Sequence, residues 1–305
     1  MKEMIKVHEG AQKIIAADLG WGNLNGYDGV TDFVCPATFA ERVDKLEAGH
    51  QLVCDFKKYL IGDPTTAYSR GMKKELLQHQ LMMYLATSNY VNNGDHVNLV
   101  VSCPIDVYLN KVARVSFKKF LHSKKEVNIN VDGVDKKFFI DKLEVMSEGA
   151  GIMYRHPEQF SDKTVGIIDI GAGTINFLYT NDLNIIRDQS FSEVIGIHHL
   201  RTNIRDVLRK NGIIVNEIEV DELLKNNQYS DIIAPVIDSY VNKIYKSIND
   251  RGWSKHVPIY FTGGGTMLLK DKIVDKFSNS TISETPLIDN VYGNYQIGVL
   301  LWSQM

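Results

Sequence analysis

Ile15-Ala16-Ala17-Asp18-Leu19-Gly20-Trp21-Gly22-Asn23-Leu24-Asn25 and Ile167-Ile168-Asp169-Ile170-Gly171-Ala172-Gly173-Thr174-Ile175-Asn176 are two versions of one stretch. Asp, Gly, Gly and Asn coincide at 18/169, 20/171, 22/173 and 25/176, a constant offset of 151 residues in a chain of 305. Four polar or glycine positions agreeing after an apolar strand read as one structural unit used twice. Each copy runs from the strand into Asp-x-Gly-x-Gly, the second continuing through Ile175–Tyr179 with loose strand-like alternation, and each half predicts an antiparallel strand–turn–strand. In the first copy Asn25-Gly26 and Asp28-Gly29 add turn signals.

Glycines without a Cβ let backbone N–H groups approach phosphate oxygens. Two common phosphate motifs are excluded: no Gly-x-x-x-x-Gly-Lys-Ser/Thr run occurs, and Asn25 stands where a dinucleotide fingerprint needs its third glycine. An aspartate directly before a phosphate loop repels the phosphate unless a cation stands between them. Mg²⁺, held by one or two carboxylates plus phosphate oxygens, suits Asp18 and Asp169. A turn-capping role serves either aspartate alone about as well; the matched pair favours the metal. A third loop, Thr262-Gly263-Gly264-Gly265-Thr266, follows the strand Val257–Phe261 and opens a helix near Met267. Such a strand-to-helix switch lets a ligand lie against main chain over a helix N-terminus. As a plain turn it is less attractive, because each glycine costs roughly 0.5–1 kcal/mol of ordering relative to Ala.

Elsewhere the patterning predicts strands at 33–35, 97–103, 127–131, 137–145 and 257–262. Helices are predicted at 70–91, 106–121, 148–155, 193–211, 231–251, 266–277 and 290–303. Ile233, Ile237, Tyr240, Ile244 and Ile248 form an apolar stripe, and Val291, Tyr295, Val299 and Trp302 share a face expected in the core. No Pro/Ser-rich linker separates the halves, so they are closely apposed, with the boundary near Tyr154–Asp162.

A chain that is 44% hydrophobic and 23% charged is an ordinary globular one, long enough for about two domains. Its net charge of −3 argues against direct, sequence-independent nucleic-acid binding. Lys111, Arg114, Lys118 and Lys119 read first as a solvated helix face. Cys35, Cys54 and Cys103 form neither a disulfide framework nor a metal pair, which fits a reducing cytosol. Lys2, Glu3, Lys6, His8 and Glu9 interrupt any signal-peptide core, and no apolar run reaches membrane-spanning length. The expectation is a cytoplasmic protein without a membrane partner. His198-His199 point about 100° apart on a helix and are not a metal pair.

Two Asp-x-Gly-x-Gly hairpins, a strand–Gly-Gly-Gly–helix and a final returning helix resemble the actin/Hsp70/sugar-kinase superfamily. Within it the chain looks like the bacterial actin-like proteins of the ParM/StbA/AlfA type, which segregate plasmids. The likeness spans nearly the whole chain: Asp18–Asn23, Tyr59-Leu-Ile-Gly62, Val100-Val-Ser-Cys-Pro104, Ser147-Glu148-Gly149-Ala150-Gly151 and Asn290-Val-Tyr-Gly293-Asn-Tyr295 all match it in kind.

The resemblance implies an α/β, actin-like fold: two duplicated ribonuclease-H-like domains around a nucleotide cleft, 1–156 with 290–305 as domain I and 157–289 as domain II. It implies ATP, or GTP, with Mg²⁺ in that cleft. Asp18, Gly20, Trp21, Gly22, Asn23 and Asn25 would hold the phosphates from one side, and Gly171, Ala172, Gly173, Thr174 and Asn176 from the other. Gly263, Gly264, Gly265 and Thr266 would lie against the adenine and ribose. Glu148 sits where such proteins orient the attacking water; with Asp169 it forms the catalytic pair, although the helix dipole alone also favours an acid there. The implied partners are further copies in a head-to-tail filament and a DNA-binding adaptor at a plasmid centromere.

Two departures qualify the likeness. Relatives often carry a lysine or another polar donor where Asn25 stands. Only about twenty residues separate the helix ending near Asn211 from the next near Asp231, so subdomain IIB is expected to be reduced. A small-molecule kinase of the same superfamily and a non-polymerising scaffold are the alternatives. The first lacks a clear substrate acid, and the second leaves Glu148 without a task.

Overall fold

The structure is a computed structural model that describes residues 13–41, 48–64 and 76–303. The first part of the helix predicted over 70–91 lies outside the described residues.

Two sheets carry the fold. The first is built from β1 (Lys13–Leu19), β2 (Asn23–Tyr27), β3 (Asp32–Pro36), β4 (Phe39–Glu41), β5 (His50–Cys54) and β6 (Lys57–Ile61). After α1 (Leu77–Ser88), β7 (His96–Cys103), α2 (Ile105–Leu109) and α3 (Lys111–Leu121), it is completed by β8 (Glu126–Val131) and β9 (Val134–Ser147). The strand order is β3-β2-β1-β7-β9-β8-β5-β6-β4, with β1, β7 and β9 parallel. Parallel strands covered on both faces must be apolar throughout, and β1 and β7 are buried along most of their length.

Two short helices, α4 (Gly151–Arg155) and α5 (Pro157–Phe160), lead into the second sheet. Its strands are β10 (Thr164–Ile170), β11 (Ile175–Asn181), β12 (Asn184–Ile185) and β13 (Phe191–Glu193). Then come α6 (Ile197–Lys210), α7 (Glu217–Lys225), α8 (Ser230–Asp250), β14 (Ile259–Thr262), α9 (Gly264–Lys276), β15 (Ser280–Ile282) and α10 (Asp289–Trp302). The order is β12-β11-β10-β14-β15, with β13 also on β11.

The duplication is visible in the register. Asp18 pairs with Asn25 between β1 and β2, and Asp169 with Asn176 between β10 and β11. Each leading strand then continues parallel to a strand further along the chain, β7 or β14. In both tight turns the first glycine is forced: a Cβ at Gly20 would lie 2.6 Å from the Asn23 carbonyl, and one at Gly171 2.9 Å from that of Thr174.

Separate apolar cores serve the two sheets. Leu81, Met82, Met83, Tyr84 and Leu85 of α1, apolar on every side, sit in the first with Phe117 and Phe138. Phe177 stacks on Phe191 at 4.5 Å in the second, beside Ile204, Ile244 and Phe261. The stripe predicted on α8 faces this core, with Ile237 at its margin. A third cluster joins Ile105 and Met153 to Val165 and Leu178, seating α4 against the second sheet.

Several expectations are corrected. Asn25-Gly26 is strand rather than turn; Gly26 is small because Tyr90 and Ala86 pack on it. The helix predicted at 106–121 breaks at Asn110, whose Oδ1 accepts from the Val112 and Ala113 amides and caps α3. The segment 193–196 precedes α6 because β13 claims residues up to Glu193. On α10 Val291 is fully buried as expected, but the rest of the most buried face is Asp289, Asn290, Gly293, Asn294 and Gly298, small and polar; Tyr295, Val299 and Trp302 are half-buried. The cause is close approach: a Cβ on Gly293 would meet the Gly151 carbonyl of α4, and one on Gly298 would lie 2.6 Å from Ile14. The expected shortening of IIB is met by a single helix, α7, anchored to the second core through Val220 and Leu223.

Candidate functional site: a cleft between two glycine hairpins

The turns after β1 and β10 meet across a cavity of about 560 Å³, within the size range of small-molecule sites. Asp18, Gly20, Trp21, Gly22, Asn23 and Asn25 line it from the first lobe, Asp169 and Gly171–Thr174 from the second. The tips touch: a Cβ on Gly22 would lie 2.8 Å from the Ala172 Cβ, and one on Gly173 2.6 Å from the Trp21 indole. Trp21 is held edge-on to the buried His79 ring at 4.9 Å.

α6 shapes the second loop. The amides of Gly196, Ile197 and His198 donate to the carbonyls of Gly173, Gly171 and Ala172 at 3.1, 3.1 and 2.9 Å. A Cβ on Gly196 would strike the Ala172 carbonyl. The loop's acceptors are thereby committed to the helix rather than to the cavity, which suits an anionic occupant.

Three buried carboxylates, Asp18, Glu148 and Asp169, face this cavity. Burial, then the neighbouring Glu148, push the Asp169 carboxyl up to about 7; Asp18 and Asp289 act the same way, against the Asn290 hydrogen bond. Like charges gathered in a buried site favour either a proton or a cation among them. A glycine cradle beside such a set fits a phosphate group carrying a divalent cation. Among the described residues no cluster of three His, Cys, Asp or Glu side chains has metal-site geometry by itself, so ligand oxygens would have to complete the shell.

Two expected residues face elsewhere. Asn176 does not line the cavity: its Nδ2 donates to Glu148 Oε2 at 2.9 Å, and its Oδ1 accepts from the Ile105 amide at 3.0 Å. Thr266 is fully buried and donates to the Thr262 carbonyl at 2.5 Å. Gly264 and Gly265 already belong to the first turn of α9, and only Gly263, at φ +83°, forms the bend. Gly263 sits against Asp169, and Gly265 between Ile170 and Ile197. Thus Gly263, Gly264 and Gly265 line the cavity together with Met267 and Leu268.

Other lining residues escaped sequence reading. Asn290 Oδ1 accepts from the Gly149 amide at 2.9 Å, and its Nδ2 donates to Asp169 Oδ2 at 3.0 Å. Beside it the wholly buried Asp289 accepts from Thr262 Oγ1 at 2.7 Å and pairs with Arg155 at 3.1 Å. Arg201 on α6 makes a two-pronged pair with Asp221 on α7 at 2.8 and 2.7 Å, and Lys225 continues that wall. Asn290 lay within a quoted segment, but its partners are far away in sequence. The Arg201–Asp221 pair has no local signature at all.

The sequence matches the family described as the N-terminal domain of actin-like proteins over residues 16–151. A search of curated proteins gave no match. The fold is similar to that of Ta0583, an archaeal actin homologue: TM-score 0.80 at 17% identity, covering 94% of this chain and 99% of that one. It is also similar to the Alp12 filament structure, with TM-score 0.69, 23% identity and coverage of 95% and 99%. A 15-stranded ParM filament from Clostridium botulinum gives 0.78 at 14% identity, with coverage of 95% and 99%. Residues 16–151 therefore match the N-terminal domain family of actin-like proteins, and the chain has the actin-like fold.

Proposed function

We propose that the cleft binds ATP, or GTP, with Mg²⁺, and that the protein is a nucleotide hydrolase that polymerises head to tail. One observation carries this reading: two glycine hairpins of common register face each other across a cavity containing three buried carboxylates. The lobes are 1–156 with 290–305, and 157–289.

Gly20, Trp21, Gly22 and Asn23 would hold the phosphates from one lobe and Gly171–Thr174 from the other. Asp18 and Asp169 would hold the cation, whose charge would offset theirs and that of the phosphates. Met267, Leu268, Pro286 and Leu287, with Gly263–Gly265, form the wall for the base, and Arg201, Asp221 and Lys225 the wall opposite. Asn25 donates to the Leu287 carbonyl at 3.2 Å, tying the first hairpin to that wall. Glu148 orients the attacking water.

Support for nucleotide and filament comes from fold relatives: Ta0583 has been solved as a complex with ADP, and the Alp12 and Clostridium botulinum ParM structures are filaments. A contact between two different faces of one chain generates an open filament when its rotation does not close a ring. In this reading the filament moves plasmid DNA in the cytoplasm through a separate DNA-binding adaptor, in keeping with the net charge of −3. No described helix is long and apolar enough to cross a membrane.

Pelleting and electron microscopy of the purified chain with ATP, GTP, ADP and non-hydrolysable analogues test the reading. Nucleotide-dependent filaments are expected. Absence of polymer under all of them would remove the filament from the account.

A further inference from the structure

We propose that Asn176 and Asn290 are positioning residues that exchange partners across the cleft, each holding the carboxylate presented by the opposite lobe. This rests on the reading of Glu148 and Asp169 as the hydrolytic pair.

The connectivity carries it. Glu148 directly follows β9 of the nine-stranded sheet, yet its Oε2 is held by Asn176, a residue of β11 in the other sheet. Asp169 ends β10 of that second sheet, yet its Oδ2 is held by Asn290 on α10. α10 packs against β1 and β7 of the first sheet. Each carboxylate is thus gripped from across the cleft, and both grips are buried, Asn176 being 1% and Asn290 8% exposed.

The orientation of both carboxamides is fixed by the chain. Asn176 Oδ1 accepts from the Ile105 amide and Asn290 Oδ1 from the Gly149 amide, at 3.0 and 2.9 Å. A backbone N–H can only donate, so each oxygen must face it and each NH₂ must face the carboxylate. A neutral NH₂ turns a carboxylate without neutralising it. A lysine there would cancel the charge that a general base needs.

The duplication provides an internal control. Asn25 occupies the register position of Asn176, but its Nδ2 goes to the Leu287 carbonyl and no carboxylate. One copy of the asparagine ties down a wall; the other sets Glu148. Opening the lobes separates Asn176 from both Glu148 and Ile105, so the carboxylates take their working orientation only on closure.

The test uses full-length Asn176→Ala, Asn176→Asp and Asn290→Ala. Turnover at saturating Mg-ATP should fall about 10- to 100-fold in the Ala variants, with the nucleotide affinity of Asn176→Ala, whose side chain lies outside the cavity, changed by less than about threefold. Asn176→Asp should move the acidic limb of the pH–rate profile upward by about one unit, because two carboxylates then share a proton. Spin labels at Val134→Cys and Val274→Cys, exposed sites on the two lobes, report the interlobe distance by pulsed electron resonance; the native cysteines are buried. Both Ala variants should broaden that distribution relative to the parent. Affinity and turnover falling in parallel, with an unmoved pH profile and an unchanged distribution, would overturn the proposal. If the parent binds Mg-ATP without turning it over, the hydrolytic reading fails separately. The distance distribution then decides alone, unchanged meaning refuted.

Discussion

Asp169 is where three demands meet: it closes a strand, faces a cavity and lies among other acids. Burial and Glu148 raise its carboxyl to about 7 from an ordinary 3.8, so between these values the folded protein holds a proton that the unfolded chain has released. The resulting stability is complete below about pH 4 and is lost as pH rises through about 7. Without nucleotide and divalent cation, the thermal midpoint should therefore fall across this window, and Asp169→Asn should flatten the fall; scanning calorimetry from about pH 5 to 8 checks it. For Glu148→Gln, turnover should drop at least about 100-fold with nucleotide affinity preserved, and unaltered turnover would exclude it as the water-orienting group. Asp18, Asp169 and Glu148 were legible because they flank glycine motifs. Asn290, Asp289 and Arg155 were not, since their roles arise from partners more than a hundred residues away. Asn176 was recognised as part of the repeat but given the wrong neighbour, because a register position does not specify which side of the hairpin a carboxamide serves.

At the scale of elements, the crossing of α4 and α10 is the tightest constraint. Gly151 and Gly293 bring backbone onto backbone, with the Asp289 carbonyl 2.3 Å from where a Gly151 Cβ would be. Gly293→Ala should force the two helices apart and cost about 1–3 kcal/mol, read as a lower denaturation midpoint in urea. The same crossing explains why the apolar stripe read on α10 misplaced its buried face: the helix must come too close for large side chains. Long apolar strands and amphipathic helices were readable from periodicity, as β7, β9 and α8 show. Strands of two or three residues, β4, β12, β13 and β15, carry too few alternations to register, and pairing partners decide them. The reduced fourth subdomain was visible as a shortage of residues. That the remaining piece is a helix reaching the cavity through Asp221 and Lys225 was not. Leu223→Ala should loosen α7 from the second core, seen as faster amide exchange over residues 217–225 while β10 and β11 stay protected.

For the molecule as a whole, the matched hairpins make sense only as a pair. Each is an ordinary strand–turn–strand; facing each other they form one cradle, closed by α10 crossing from the second lobe back onto the first sheet. The proposed filament contacts would lie on outer surfaces with no local code, whereas the cleft is built from residues whose spacing is already visible in the chain. Nucleotide binding in the cleft is therefore the property on which the rest depends. Calorimetric titration of ATP and GTP into the nucleotide-free protein, with and without Mg²⁺, tests it most directly. Saturable one-to-one binding that needs Mg²⁺, and that Asp18→Ala and Gly22→Val each weaken at least about tenfold, is the predicted result. Failure of both nucleotides to bind, or binding indifferent to Mg²⁺ and to both substitutions, would contradict it.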